Sequence, residues 1–75
     1  MRVTPRIAEA VNAVRAMIAD GTLKPGQRAP GAAELHEKTG ISVVYCTRAL
    51  QLLESDGTLI RTSPRGRVWR VSEPA

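Results

Sequence analysis

Phenylalanine is absent from this chain of 75 residues, and Trp69 and Tyr45 are its only aromatics. The interior must therefore be built from Ile, Val, Leu, Ala and Met. Cys46 is the only cysteine and His36 the only histidine. No disulfide can form within the chain, and no thiolate zinc site can be assembled. No nucleophile–base pair, acid dyad or phosphate loop is present, and "PRGR" is too short to be one, so an enzyme is not expected. No apolar run reaches spanning length and no signal-peptide pattern opens the sequence, so the expected location is cytoplasmic, with no membrane partner. No cofactor is expected. A buried thiol on a helix is normally inert, which makes Cys46 a core residue before it is a redox switch.

What is present is a 43% apolar composition, rich enough for one small globular domain spanning residues 1–75 with a thin core. The net charge of +4 is unevenly placed. Residues 57–72 carry Arg61, Arg65, Arg67 and Arg70 and no acid, whereas the rest of the chain has seven basic and seven acidic residues. Clustered arginine suits an anionic partner, most often nucleic acid. The alternative is a solvated strand pair whose charge only aids solubility.

The pattern of the chain predicts three helices and a hairpin. Thr4-Pro5 is a cap followed by a proline at the first helical position, and Ile7, Val11, Val14, Met17 and Ile18 repeat at helical steps, predicting a helix over about 5–19. "KPGQ" predicts a type II turn through Pro25 and Gly26, and Gln27–Ala29 is extended ahead of Pro30, a possible third strand of a small sheet. A second helix starts at Pro30-Gly31 and runs through "AAELHEKT", with Ala32, Leu35 and either His36 or Thr39 inward. Gly40 ends it, Ile41 plugs the turn and Ser42 caps the next. A third helix spans about 43–55, with Cys46, Ala49, Leu50 and Leu53 on its buried face. "TLIRT" and "RVWRV" flank the turn chemistry of "SPRG". A Trp in the last strand of so small a domain is expected to cover the core. The fold class is mainly α with a small antiparallel sheet: a winged helix-turn-helix of three helices plus a C-terminal β-hairpin wing.

Four stretches carry a specific resemblance: "IAEAVNAVRAMIADGTLKPGQRAPGAAEL", "EKTGIS", "RALQLLESDG" and "LIRTSPRGRV". Over about residues 5–71 the chain resembles the N-terminal DNA-binding domain of GntR-type (gluconate-repressor-type) bacterial transcription regulators. The resemblance implies a sequence-specific transcriptional regulator of duplex DNA. Its third helix would enter the major groove and its wing tip the neighbouring minor groove. It also implies binding to palindromic operators as a dimer, so a homodimer is possible, and an effector domain further along the chain. With the sequence ending four residues after Val71, no small-molecule effector domain is expected in it.

The departures fall on the reading positions. Where the family typically has Ser and Arg at the start of helix two, this chain has Gly31 and Ala33. Where the family has Arg and small polar residues after the capping Ser, it has Val43, Val44, Tyr45 and Thr47. The wing reads Pro64-Arg65-Gly66 in place of Gly-Arg-Gly, with Thr58 as a compensating insertion. Ser42, Arg48, Arg65 and Gly66 keep the family's polar or wing positions. The expected DNA-binding set is thus Lys38, Ser42, Val43, Val44, Tyr45, Thr47, Arg48, Arg65, Gly66 and Arg67. Apolar side chains can meet thymine methyls, Tyr45 and Thr47 can hydrogen-bond a base edge or phosphate, and the arginines supply phosphate contacts. The competing reading is a protein-interaction or dimerisation module, for which Val43, Val44 and Tyr45 would form an exposed apolar patch.

Overall fold

The structure, a computed structural model, describes residues 4–61 and 68–72. Its elements are α1 (Pro5–Ala19), α2 (Ala32–Thr39), α3 (Val43–Ser55), β1 (Leu59–Arg61) and β2 (Trp69–Val71). The helix bounds follow from the caps. The Thr4 hydroxyl oxygen accepts from the Ile7 N–H at 3.2 Å, with Pro5 at the first helical position, where its missing N–H costs nothing. The Ser42 hydroxyl does the same for Tyr45 N–H at 3.3 Å. α2 is capped by Gly31, which has no side chain to contribute.

β1 and β2 are antiparallel, with Leu59 opposite Val71 and Arg61 opposite Trp69. The turn after α1 is type II: Gly26 has φ +80°, and Gln27 N–H donates to Lys24 O at 3.0 Å. It delivers Gln27–Ala29 to the free edge of β2. There Ala29 N–H donates to Trp69 O at 2.8 Å and Val71 N–H to Gln27 O at 2.9 Å. This segment forms a single bridge, Arg28 to Arg70, rather than a full third strand. Gln27 N–H is committed to Lys24 O in the turn, and Gly26 N–H donates to Val71 O at 2.9 Å instead, so the regular pairing does not extend beyond one rung on that side.

The core is aliphatic and joins all five elements. Ile7, Ala10 and Val14 of α1 are buried, and Val11, Met17 and Ile18 are half-buried at its margin. Leu35 is the one fully buried residue of α2; Thr39 is half-buried and His36 lies outside the core. All four expected residues of α3, Cys46, Ala49, Leu50 and Leu53, have no solvent exposure. Trp69 closes the core from the sheet side at 5% exposure, so its covering role is as the sequence suggests.

Candidate nucleic-acid interface

The turn between α2 and α3 is held by short side-chain bonds, and these aim α3. Gly40 adopts φ +75° and its N–H donates to His36 O at 2.8 Å. An L-residue would be strained there, which is why glycine ends α2. Ile41 then drops into the core at 2% exposure. Thr39 Oγ1 donates to Leu35 O at 2.7 Å and accepts from Ile41 N–H at 3.2 Å. His36 Nδ1 lies 2.6 Å from Ile41 O and donates to it, so the histidine serves the turn from the surface instead of filling the core. The Cys46 thiol also points at Ile41 O, at 3.5 Å. Burial pushes the Cys46 thiol pKa up, which keeps the sulfur neutral and unreactive.

With Cys46, Ala49, Leu50 and Leu53 turned inward, the opposite face of α3 presents Val44, Arg48, Gln51 and Ser55, all exposed. These recur at four-, three- and four-residue steps, as one side of a helix must. Val43 is 45% and Val44 61% exposed. Tyr45 and Thr47 are half-buried; Tyr45 packs its ring against the core, and the Thr47 hydroxyl donates to Val43 O at 2.9 Å. Lys38, in the last turn of α2, is exposed beside the entry to α3. Val43, Thr47 and Gln51 line a cleft whose other walls are the start of α2, at Ala32 and Ala33, and Arg61 and Trp69 of the sheet. Gln51 has no motif to mark it; its only signal is the four-residue spacing from Val43 and Thr47. Arg65, Gly66 and Arg67, the expected wing-tip contacts, lie outside the described residues.

Glu54 changes the meaning of the arginine cluster. Its Oε1 accepts from Arg61 Nε at 3.0 Å, from an Arg61 terminal nitrogen at 2.9 Å and from Trp69 Nε1 at 3.0 Å. The Arg61 guanidinium carbon also sits 5.2 Å from the Trp69 ring centroid, within cation–π range. Arg61 is therefore neutralised and held by the base of α3. Arg70 donates to Gly26 O at 3.1 Å, in the turn after α1. Arg61 and Arg70, the described arginines of 57–72, are thus not one uniform basic surface, because a carboxylate from an earlier element engages Arg61. Among the described residues, no group of His, Cys, Asp and Glu could hold a metal ion. No helix among them is long and apolar enough to cross a membrane.

Comparison with known proteins agrees with this geometry. The profile of the family "Bacterial regulatory proteins, gntR family" matches residues 6–68. A solved chain described as a GntR-family transcriptional regulator superposes with a TM-score of 0.81 at 27% identity over 96% of this chain. Two others share the fold. One is YtrA from Sulfolobus acidocaldarius, a GntR-family transcription factor (TM-score 0.74, 24% identity, 99% of this chain). The other is a transcriptional antiterminator from Listeria monocytogenes EGD-e (TM-score 0.75, 18% identity, 99% of this chain). The present chain spans 28%, 61% and 54% of those three chains, respectively. No curated protein matches it in sequence.

Proposed function

Since the chain belongs to the gntR family of bacterial regulatory proteins, we propose that it regulates transcription by placing α3 in the major groove of duplex DNA, with the segment between β1 and β2 on the adjacent minor groove or phosphates. The observation that carries this reading is the tied turn at Gly40–Ser42. It fixes α3 with one face fully buried and the other, presenting Val44, Arg48, Gln51 and Ser55 with Val43 at its margin, open. Exposed Lys38 and Arg48 flank that face and suit phosphates, and Ser42 and Tyr45 stand at its entry. Arg65, Gly66 and Arg67 belong to the same proposed set, since glycine beside arginine lets a backbone approach a groove closely. Two copies on a two-fold-symmetric site, in the cytoplasm and without catalytic activity, complete the reading.

The exposure of Val43 and Val44 favours one competitor, a protein-binding or dimerisation module on the same scaffold. Selection from random duplexes at two salt concentrations separates the two. DNA binding predicts an enriched motif whose affinity falls with salt. Arg65→Ala with Arg67→Ala should then weaken binding severalfold to about a hundredfold and flatten the salt slope by about one to two units. A protein-binding module enriches no motif, and loses its partner on changing Val43 or Val44 to Ser.

A further inference from the structure

The exposed start of α3 has an unusual chemistry for a surface that meets base edges. Val43 and Val44 are 45% and 61% exposed and carry no donor or acceptor in their side chains. Thr47, one turn on, has its hydroxyl proton committed to Val43 O at 2.9 Å, so it has no proton to give to a base acceptor. The Ser42 oxygen is occupied by Tyr45 N–H, and the Tyr45 ring rests against the core. At Val43 and Val44 the exposed side chains therefore end in methyl groups, and Arg48 and Gln51 are the exposed polar residues beyond them.

Of the groups that base pairs show in the major groove, the C5 methyl of thymine is the apolar one. We propose that Val43, Val44 and the Thr47 methyl form a pocket edge for thymine methyls, so that this protein selects its site at those positions by van der Waals contact rather than by hydrogen bonds. The proposal rests on the DNA-binding reading and specifies what α3 reads. Charge around the patch fits a polyanion better than an apolar protein surface. Lys38 and Arg48 are exposed, and among the described residues neither is paired with a carboxylate. α3 carries no acid before Glu54, and Glu54 is already engaged by Arg61 and Trp69. An apolar contact also tolerates small shifts of the helix that would break a bidentate hydrogen bond, which suits a surface of short, stiff side chains.

The test uses the duplex enriched by selection. Each thymine is replaced in turn by deoxyuridine, which removes the methyl and leaves the pairing edge intact, and equilibrium affinity is read by fluorescence anisotropy. Wild-type protein should lose about three- to fivefold at one or two positions, the effect of a single buried methyl. The Val43→Ala, Val44→Ala double variant should bind the thymine duplex more weakly and show no further loss on uracil substitution. Both positions are exposed and alanine is a better helix former, so circular dichroism should show the fold unchanged. Uniform tolerance of uracil by the wild type overturns the proposal while leaving DNA binding intact. Equal uracil losses in wild type and double variant also overturn it, by moving methyl reading to other residues. If no duplex is bound at low salt, the DNA-binding reading itself fails, and this proposal with it.

Discussion

Glu54 is the residue whose contacts reach furthest. One carboxylate oxygen takes three donors from the two strands of the hairpin, and so ties β1 and β2 to the last turn of α3. Glu54→Gln keeps an acceptor for the Trp69 indole but removes the charge that holds Arg61. Hydrogen bonds to charged groups contribute about 1.5–3 kcal/mol, and the side chains here are 36% and 30% exposed, so solvent screening reduces the expected loss to about 1 kcal/mol. Trp69 is the only tryptophan, so its emission reports the change directly. We expect an altered emission spectrum and a salt slope for duplex binding steeper by up to about one unit, because a freed Arg61 can take a phosphate. An unchanged spectrum and slope would mean that Glu54 does not restrain Arg61. Cys46 makes a second residue-scale prediction. With no exposure and a thiol pKa raised by burial, it should resist alkylation in the folded protein at neutral pH and react on denaturation. Rapid labelling under native conditions would contradict the buried position. None of the Glu54 network is visible in one dimension, because Glu54 is separated from Trp69 by fifteen residues and nothing in their spacing couples them.

At the scale of elements, α1 and α3 end with the same device. Asp20-Gly21-Thr22 and Asp56-Gly57-Thr58 each place Asp at φ −88° and Gly at φ +86° or +87°, with the Asp carboxylate accepting the Thr N–H at 2.8 or 2.9 Å. Among the described residues, no atom beyond Gly57 and its chain neighbours lies within 4 Å of where its Cβ would stand, so Gly57→Ala tests backbone conformation. It should cost about 1–2 kcal/mol, and Gly57→Asn less, as read from denaturant midpoints. Hydrogen bonds from Thr22 hold the Asp20 carboxyl below its usual value of 3.8. Hydrogen bonding from Thr58, followed by the nearby Arg15 charge, does the same for Asp56. A carboxyl whose pKa is lower folded than unfolded stabilises the fold above its unfolded pKa and loses that contribution as pH falls through the folded value. Stability should therefore drop below about pH 4, and Asp56→Asn should flatten that drop in urea titrations repeated across acidic pH. A variant with the same acid limb as wild type would remove Asp56 from the account. These helix ends were legible from Thr4, Ser42, Gly40 and the two Asp-Gly pairs, since caps are local and their chemistry is in the residue type. Gln27–Ala29 was legible as extended, but its reduction to one bridge depends on where β2 comes to lie.

For the molecule as a whole, the thin aliphatic core sets the margin. Leu50 is fully buried on α3, the helix that packs on α1, α2 and β1. Leu50→Ala should cost about 2–5 kcal/mol, against a total of about 5–15 kcal/mol for small domains, and should lower the melting temperature by more than ten degrees or abolish the transition. A shift of a degree or two would mean that the core relaxes around the gap. Composition showed that the chain is basic, and the sequence showed which segment carries the charge. It did not show that Arg61 is neutralised by Glu54, since pairing is a property of the folded surface. The candidate reading face was legible through the frame of Gly40, Ser42 and the buried stripe of α3, whereas the burial of Tyr45 and the tied-back Thr47 hydroxyl needed coordinates. The central claim is that this surface binds duplex DNA with Lys38, Arg48, Arg65 and Arg67 on phosphates. Its most direct test is the affinity of the wild-type protein for a selected duplex as a function of salt. Four phosphate contacts predict that log K falls with log salt with a slope of about −3 to −4. Absence of binding at micromolar protein in low salt, or an affinity indifferent to salt, would contradict it.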